Sequence, residues 1–274
     1  MKVCAVGLGE IGLSTATYIL GRGFETWGYD ISEASTNEAK AKGIKATTDW
    51  KQIPHEKIGA YVVCVTTGLD SSSKPDLSPV FEVCSKIAAT NNMPLIAIES
   101  TLQVGTCRNI YDDIFGKSAH LVHVPHRYWR DDPIKHGVRQ VRVLGGIDNN
   151  SIDRGMSFYR RLSIPTHPVS SIEIAEMSKI VENSHRFLQI AFAEELKMVC
   201  DQKNIDMNEL RQACNTKWNV EILEPKEGIL RHCLPKDVRY LIDYSKNNRI
   251  LKSAVLADEK YREYLYKKLK RADP

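Results

Sequence analysis

The sequence has few of the features that mark secreted, membrane or nucleic-acid-binding proteins. No apolar run approaches the ~20 residues that a membrane span needs, and because the first strand-like run begins at Lys2 we expect no signal peptide. The seven cysteines are odd in number and form no Cys-x-x-Cys pair, which favours reduced thiols in a cytoplasmic protein. With 38 basic and 34 acidic residues, the net charge of +4 is too even to favour nucleic-acid binding.

The composition is that of a globular protein. The 274 residues are 42% hydrophobic and 26% charged, which supports one large or two modest domains with a core that needs no disulfides. The mild positive excess also suits an anionic small molecule as the ligand. We therefore expect a folded protein that binds a small, charged compound.

Apolar runs alternate with helical stretches, such as 78–89, through the first 168 residues. This alternation predicts an α/β fold in which a doubly wound parallel sheet of the Rossmann type occupies residues 1–168. Six runs predict the buried strands, at residues 2–6, 24–29, 61–65, 95–98, 121–124 and 141–144.

The pattern becomes helical after Pro168. An apolar stripe at helical spacing predicts one long helix from Ile172 to about Asp201, Asp206 caps a further helix, and residues 223–237 are expected to form an irregular loop with two prolines. We assign residues 169–274 to an all-α domain with this long central helix. Because the stripe is longer than a small helical region covers, we expect a homodimer through it.

A glycine-rich turn follows the first strand and opens the first helix. In Gly7-Leu8-Gly9-Glu10-Ile11-Gly12 the glycines permit the tight turn, close approach of a pyrophosphate and close helix–strand packing. We predict that Gly7, Gly9, Ile11 and Gly12 bind a dinucleotide. Asp30 ends the second predicted strand, where a carboxylate accepts hydrogen bonds from ribose hydroxyls and repels a 2′-phosphate, so the predicted cofactor is NAD.

Four later segments, in the right order, resemble the UDP-glucose/GDP-mannose dehydrogenase family. They are similar to that family's V-P-T-P and P-D-L-S, S-T-V-P-x-G-T, A-E-x-x-K-x-x-x-N and C-x-P-x-D patterns, of which the last two are the most specific. The segments are Val65-Thr66-Thr67-Gly68 with Lys74-Pro75-Asp76-Leu77-Ser78, Glu99-Ser100-Thr101-Leu102-Gln103-Val104-Gly105-Thr106, Ala175-Glu176-Met177-Ser178-Lys179 running to Glu182-Asn183, and Cys233-Leu234-Pro235-Lys236-Asp237.

The resemblance implies an enzyme of polysaccharide biosynthesis that oxidises the primary alcohol of a nucleotide-linked sugar to a carboxylate with two NAD. Cys233 matches the thiol that attacks the intermediate aldehyde, which leads through a thiohemiacetal to a thioester. Lys179 and Asn183 share one helix face and are implied to hold substrate oxygens and a water molecule, with Lys179 stabilising developing alkoxide. Asp237 would orient or deprotonate the water, near which Thr101 would lie.

The same resemblance implies contacts to the cofactor and differs at three points. Thr67 and Ser100 are implied to touch NAD. A Pro-His pair with His126 replaces the usual Pro-Glu, so we consider His126 a candidate base, and Lys226, Leu230 and Arg231 replace glycines before the cysteine. The family's further nucleotide-binding domain has no counterpart in these 274 residues, which indicates a short form.

The basic side chains beside these differences suggest how an anionic substrate is held. Arg127 directly follows His126, and Arg231 adds a positive charge beside Cys233. A guanidinium binds phosphate or carboxylate in a bidentate way, so Arg127 and Arg231 are predicted to bind the substrate.

Three histidines near the fifth predicted strand raise the question of a metal. Strand alternation places His123 on the face opposite His120 and His126, so we predict no metal site. Two other functions stay open: a two-electron dehydrogenase of the 3-hydroxyacid or 6-phosphogluconate type, and a non-catalytic NAD-binding subunit. The number of NADH formed per substrate consumed separates these from the nucleotide-sugar dehydrogenase. We expect two NADH for the nucleotide-sugar dehydrogenase, one for the two-electron dehydrogenase and none for the non-catalytic subunit.

Overall fold

The computed structural model describes residues 1–90, 92–129, 131–133, 136–230 and 233–272. Two compact units divide the chain. The first comprises Met1–Asp70 and Pro75–Lys179, and the second Ser71–Lys74 and Ile180–Pro274. The domain boundary predicted after residue 168 stays a prediction.

The first unit contains an eight-stranded sheet and a separate two-stranded hairpin. The sheet strands are β1 (Lys2–Val6), β2 (Glu25–Tyr29), β3 (Lys45–Thr47), β4 (Ile58–Val63), β7 (Leu95–Ile98), β8 (His120–His123), β9 (Arg142–Gly146) and β10 (Thr166–Pro168), and the hairpin strands are β5 (Gly68–Leu69) and β6 (Pro75–Asp76). The sheet order is β10-β9-β8-β7-β4-β1-β2-β3. Since its segment β3-β2-β1-β4-β7-β8 has the Rossmann order, the predicted fold class is confirmed.

Helices connect these strands and build the second unit. In chain order they are α1 (Glu10–Gly21), α2 (Glu33–Ala41), α3 (Ser78–Ala88), α4 (Thr106–Asn109), α5 (Asn149–Arg161), α6 (Ile172–Lys203), α7 (Met207–Cys214), α8 (Cys233–Tyr244) and α9 (Arg249–Ala272). The predicted long helix is confirmed as α6, a helix of 32 residues. Asp206 caps α7 as expected, since its carboxylate accepts the N–H groups of Asn208 and Glu209.

Two strands depart from the expected parallel arrangement. β9 runs antiparallel to β8, with Val122 opposite Gly146 and His123 opposite Gly145, and β10 is parallel to β9. The local pattern of an apolar run is the same in either direction, so the sequence does not distinguish the two. As a result β9 begins at the edge of the sheet where β8 ends, and its first residue, Arg142, lies at that edge.

Alternate residues of the central strands pack against helices on both faces. Tyr61 and Val63 belong to one core cluster and Ala60 and Val62 to another, as expected for a sheet covered on both sides. β4 begins earlier and ends earlier than predicted, so Cys64 and Val65 lie in the connection after the strand. This places them at the carboxyl edge of the sheet, where ligands bind in doubly wound folds.

The predicted irregular loop over residues 223–237 is wrong in its last part. α8 begins at Cys233 and continues through Pro235 to Tyr244. Proline fits here because it lies in the first turn, where a backbone N–H has no partner within the helix. Cys233 is therefore the first residue of a helix. In the same unit, Phe187 and Ala191 of α6 pack with Val238 of α8 and Ala254 of α9.

Candidate active site

The glycine loop has the geometry that its sequence predicts. Gly7 has φ of +87°, and a Cβ on it would come within 2.8 Å of the Cys64 carbonyl group, so glycine is needed there twice over. A Cβ on Gly12 would lie 1.8 Å from the Gly7 carbonyl oxygen. By contrast, apart from Gly9 and its neighbours in the chain, no atom of the described residues lies within 4 Å of a Cβ built on Gly9, so the backbone is open to close approach by a phosphate.

Asp30 and the start of α1 complete this cofactor cradle. The Asp30 carboxylate accepts the Leu8 N–H at 2.6 Å and the Ser32 N–H at 2.8 Å, and its oxygens keep lone pairs for ribose hydroxyls. α1 begins after Gly9 without a side-chain cap, so N–H groups of its first turn, including that of Ile11, suit a pyrophosphate. These residues fit NAD.

The loops after β4 and β7 are joined by a hydrogen bond. The Ser100 hydroxyl donates to the Val65 carbonyl at 2.7 Å. Thr67 and Ser100 are buried and Thr101 is half-buried. Their predicted roles at the cofactor and the water stay predictions, and the structure places all three at the carboxyl edge of the sheet.

His126 and two basic residues lie in the same unit. His126 is buried, and its Nδ1 accepts the Tyr128 N–H at 3.0 Å. Burial, and then the charges of Arg142 and Lys179, lower the pKa of His126 well below its ordinary value, so the ring is neutral and Lys179 lies near it. The half-buried Arg127 donates from Nη1 to the Val141 carbonyl at 2.8 Å.

His126 belongs to a buried polar cluster that sequence reasoning missed. Glu99 is its centre: Arg142 Nη1 lies 2.7 Å from one carboxylate oxygen, and the Tyr159 hydroxyl donates to the same oxygen at 2.7 Å. The available signal was a carboxylate directly after a buried strand, since Glu99 opens the Glu-Ser-Thr segment. We call this cluster the Glu99 network, and its members are Glu99, Arg142, Tyr159, Thr15, Cys64 and His126.

The second unit brings Asn183 and Asp237 together. Asn183 Nδ2 donates to Asp237 Oδ2 at 2.5 Å, and Lys236 Nζ donates to the other carboxylate oxygen. Lys236 is buried and lies over the Tyr240 ring, 4.3 Å from its centre. Both oxygens of the Asp237 carboxylate are therefore engaged, and Lys236 is a further residue that the pattern C-x-P-x-D did not single out.

Cys233 differs from the other cysteines in its exposure. All seven cysteines fall within the described residues, none is in a disulfide, and Cys233 alone is exposed. Burial raises the pKa of Cys84 to about 12 and holds those of Cys64 and Cys107 well above the ordinary value, so these thiols stay protonated. The predicted substrate residue Arg231 lies outside the described residues.

The described part of the chain contains neither a cluster of metal ligands nor a helix that could span a membrane. No three His, Cys, Asp or Glu side chains there are grouped as metal ligands. Within the same ranges no helix is both long enough and apolar enough to cross a membrane.

Comparison with family models identifies the class of protein. Residues 35–163 match the NAD binding domain of the UDP-glucose/GDP-mannose dehydrogenase family, and residues 173–260 match its central domain. The two matches together span most of the chain, so this protein belongs to the UDP-glucose/GDP-mannose dehydrogenase family. The expected resemblance is confirmed, and the family's NAD binding domain confirms the cofactor.

Individual relatives narrow the comparison. The chain is 30% identical to the UDP-N-acetyl-D-mannosamine dehydrogenase of Methanococcus vannielii over 96% of its own length and 66% of that protein's. It is 26% identical to an NDP-N-acetyl-D-galactosaminuronic acid dehydrogenase of Ralstonia nicotianae, covering 98% and 71%. The structure of a UDP-D-ManNAc dehydrogenase from Pyrococcus horikoshii superimposes with a TM-score of 0.88 at 25% identity, covering 100% and 72%. The chain thus spans about two thirds of the length of these relatives.

Proposed function

We propose that this protein is an NAD-dependent dehydrogenase that oxidises a nucleotide-linked sugar alcohol to its carboxylate. The observation that carries the proposal is the exposed Cys233 at the start of α8, on the same helix as the Asp237 that binds Asn183. The cofactor cradle at the glycine loop and the match to both family domains support it. The curated relatives are named for N-acetylated sugars, so we propose a UDP-N-acetylhexosamine as the first substrate to test.

NAD, when bound, accepts the hydrides of this four-electron oxidation. Cys233 would hold the intermediate aldehyde as a hemithioacetal and, after oxidation, the acyl group as a thioester. Water then hydrolyses the thioester, which releases the carboxylate and restores the thiol. Lys179, as a cation, would stabilise negative charge on the substrate oxygen. Thr67 and Ser100 would contact the cofactor, and Thr101 would lie near the water.

The contacts of Asp237 suggest how the water is oriented. With one oxygen bound to Lys236 and the other to Asn183, the carboxylate fixes the amide of Asn183. We propose that Asp237 orients the water mainly through Asn183. His126 has a lowered pKa and buried partners, so a base role for it would show an inflection well below pH 6.5, and a positioning role fits its surroundings better. Arg127 and Arg231 remain candidates for binding the anionic part of the substrate.

The experiment counts NADH formed for each UDP-sugar consumed across a panel of substrates. Two NADH support the proposal, one favours the hydroxyacid type of dehydrogenase, and none with retained NAD binding favours a non-catalytic subunit. Cys233→Ser should stop carboxylate formation and leave NAD binding unchanged. Cys214→Ser, at a half-buried cysteine of the same unit, is the matched control and should retain activity.

We further propose a homodimer through α6, in the cytoplasm, where the unpaired cysteines stay reduced. Four large apolar side chains of α6 are exposed: Ile174 by 46%, Val181 by 41%, Phe192 by 58% and Val199 by 46%. Their spacings of 7, 11 and 7 residues place them along one side of the helix. Phe192→Asp should shift the mass in light scattering to that of a monomer, whereas Trp218→Asp, at an exposed aromatic outside α6, should not.

A further inference from the structure

The Glu99 network joins the connections that bind the cofactor. Glu99 directly follows β7, Thr15 lies in α1 just beyond the glycine loop, Cys64 directly follows β4, and His126 follows β8. These connections all leave the carboxyl edge of the sheet, which forms the dinucleotide crevice in doubly wound folds. One buried carboxylate therefore lies among four segments that border the crevice.

The contacts of Glu99 reach each of these segments. One carboxylate oxygen accepts the Thr15 hydroxyl at 3.4 Å and the Cys64 thiol at 3.7 Å, and it lies 3.7 Å from His126 Nε2. The Glu99 backbone adds two more contacts, because its N–H donates to the Val63 carbonyl at 2.8 Å and its carbonyl accepts the His126 N–H at 3.3 Å.

Arg142 holds this carboxylate in place from the far side. Arg142 Nη1 lies 2.7 Å from the other Glu99 oxygen, Nη2 lies 2.8 Å from His126 Nε2, and Nη2 also donates to the Val138 carbonyl at 3.1 Å. Glu99 is 3% exposed and Arg142 1%. A buried ion pair is often no more stabilising than a pair of well-packed apolar side chains, so stability alone does not explain its presence.

The position of Cys64 connects the network to the glycine loop itself. A Cβ on Gly12 would lie 3.1 Å from the Cys64 Cβ, and a Cβ on Gly7 would meet the Cys64 carbonyl at 2.8 Å. A shift of Cys64 or of Thr15 would therefore move the backbone that faces the pyrophosphate. The network sits directly behind the cradle.

We infer that Glu99, held by Arg142, is a positioning residue that fixes the four cofactor-binding connections in their binding geometry. It does not touch NAD; it acts through Thr15, Cys64 and His126. The inference rests on the NAD-binding half of the proposed function. It also accounts for His126, because its neutral ring adds no negative charge beside Glu99, whereas a second carboxylate at this position would repel that of Glu99.

The test separates affinity from stability. Glu99→Gln keeps the size of the side chain but removes the charge, and we expect NAD to bind at least about tenfold more weakly at a temperature well below unfolding. The double variant Glu99→Met with Arg142→Met removes the whole pair, so it should unfold at a denaturant concentration close to that of Glu99→Gln or higher, yet bind NAD no better. Hydrogen exchange of the amides at 8–11 and 64–67 should be faster in both.

Two controls make the result specific. Tyr61→Phe removes a buried hydrogen bond to His55 in the same unit, outside the Glu99 network, and should lower stability with NAD affinity within about twofold of wild type. Asp30→Ala should narrow the preference for NAD over NADP. Glu99→Gln should instead weaken the binding of NAD and of NADP by the same factor, as displacement of the loop would.

Several outcomes would overturn the inference. If the double variant binds NAD as wild type does, or if Tyr61→Phe weakens NAD binding as much as Glu99→Gln does, Glu99 is only a structural residue. Should Glu99→Gln fail to fold, the double variant decides in the same way. If the wild-type protein binds no NAD, both this inference and the proposed function fail, whereas bound NAD without sugar oxidation leaves this inference standing.

Discussion

The two units bury titratable groups in opposite ways. In the first unit, His123 is fully buried and neutral, and burial lowers its pKa to about 3. In the second unit, Glu194 of α6 is fully buried, its carboxylate oxygens have no hydrogen-bond partner among the described residues, and burial with the nearby charge of Asp258 raises its pKa to about 8. Both groups are thus kept uncharged near neutral pH, one by losing a proton and the other by keeping it.

The difference gives the two units opposite responses to pH. Below about pH 6.5 the unfolded chain binds a proton at His123 that the folded chain refuses, so the first unit loses stability as pH falls towards 3. Between about pH 4.5 and 8 the folded chain keeps a proton on Glu194 that the unfolded chain releases, so the second unit loses stability as pH rises through that window. A buried group without a partner thus lowers the free energy of unfolding in both units, but for the histidine the loss grows as pH falls and for the carboxylic acid it grows as pH rises.

The Glu99 network provides the strongest test of this comparison, because its carboxylate is as buried as Glu194 but has partners. His126→Glu would place a second carboxylate beside Glu99 and Arg142 and should lower the free energy of unfolding at pH 7 by about 4 kcal/mol. The loss should shrink in acid, where one carboxyl takes up a proton. Chemical denaturation at pH 5 and 7 measures it, with the neutral His126→Gln as control; equal losses in the two variants would contradict the argument.

Glu194→Gln should remove the loss of stability that the second unit shows as pH rises. The groups that face Glu194 from α9 are Asp258, Arg262 and Tyr261, and Asp258 already accepts the Ile229 N–H and the Arg262 guanidinium. The free energy of unfolding of the variant minus that of the wild type should be about 3 kcal/mol larger at pH 8 than at pH 5. Denaturation curves at both pH values check this, and an unchanged difference would show that Glu194 is ionised in the folded protein.

His123→Leu should remove part of the loss of stability that the first unit shows as pH falls. The apolar side chain needs no proton, so between pH 6.5 and 4.5 the variant should lose about 2 kcal/mol less stability than wild type. Thermal unfolding across this range measures the effect. The half-buried His120, substituted in the same way, serves as the control and should change the slope much less.

The smallest effect is expected at a carboxylate that reaches solvent. Although partial burial opposes it, hydrogen bonds from Lys197, Tyr264 and Lys268 lower the pKa of Asp201 to about 2. Lys268 is mostly exposed, so Lys268→Ala should cost less than about 0.5 kcal/mol, and high salt should reduce that further. A larger loss in urea denaturation would show that solvent screens this site less than its exposure indicates.

The fold could be predicted from the sequence wherever one pattern had one structural meaning. The apolar runs at 2–6 and 95–98 and the stripe that begins at Ile172 correspond to β1, β7 and α6. The glycine loop was also predictable, because Gly7 and Gly12 meet steric demands of the turn and of the helix packing and Gly9 leaves the backbone open to a phosphate.

The polar contacts were harder to predict because they depend on strand direction and on distant partners. Arg142 lies within a run recognised as a strand, but only the antiparallel direction of β9 carries its guanidinium to Glu99. In the same way, the contacts of Asp237 with Asn183 depend on how α8 packs, and Pro235 concealed the start of that helix.

The reversed direction of β9 also bears on how this protein tolerates insertions and deletions. Successive side chains of a strand point to opposite faces, so one residue added within β9 would turn Arg142 to the other face of the sheet. The buried charges of Glu99 and Arg142 would then lose each other as partners. Residues added to the connection between β8 and β9, between the segments that hold His126 and Val138, would leave the register of β9 unchanged. Natural variation in length should therefore collect in that connection, whereas the five residues of β9 should stay constant in number.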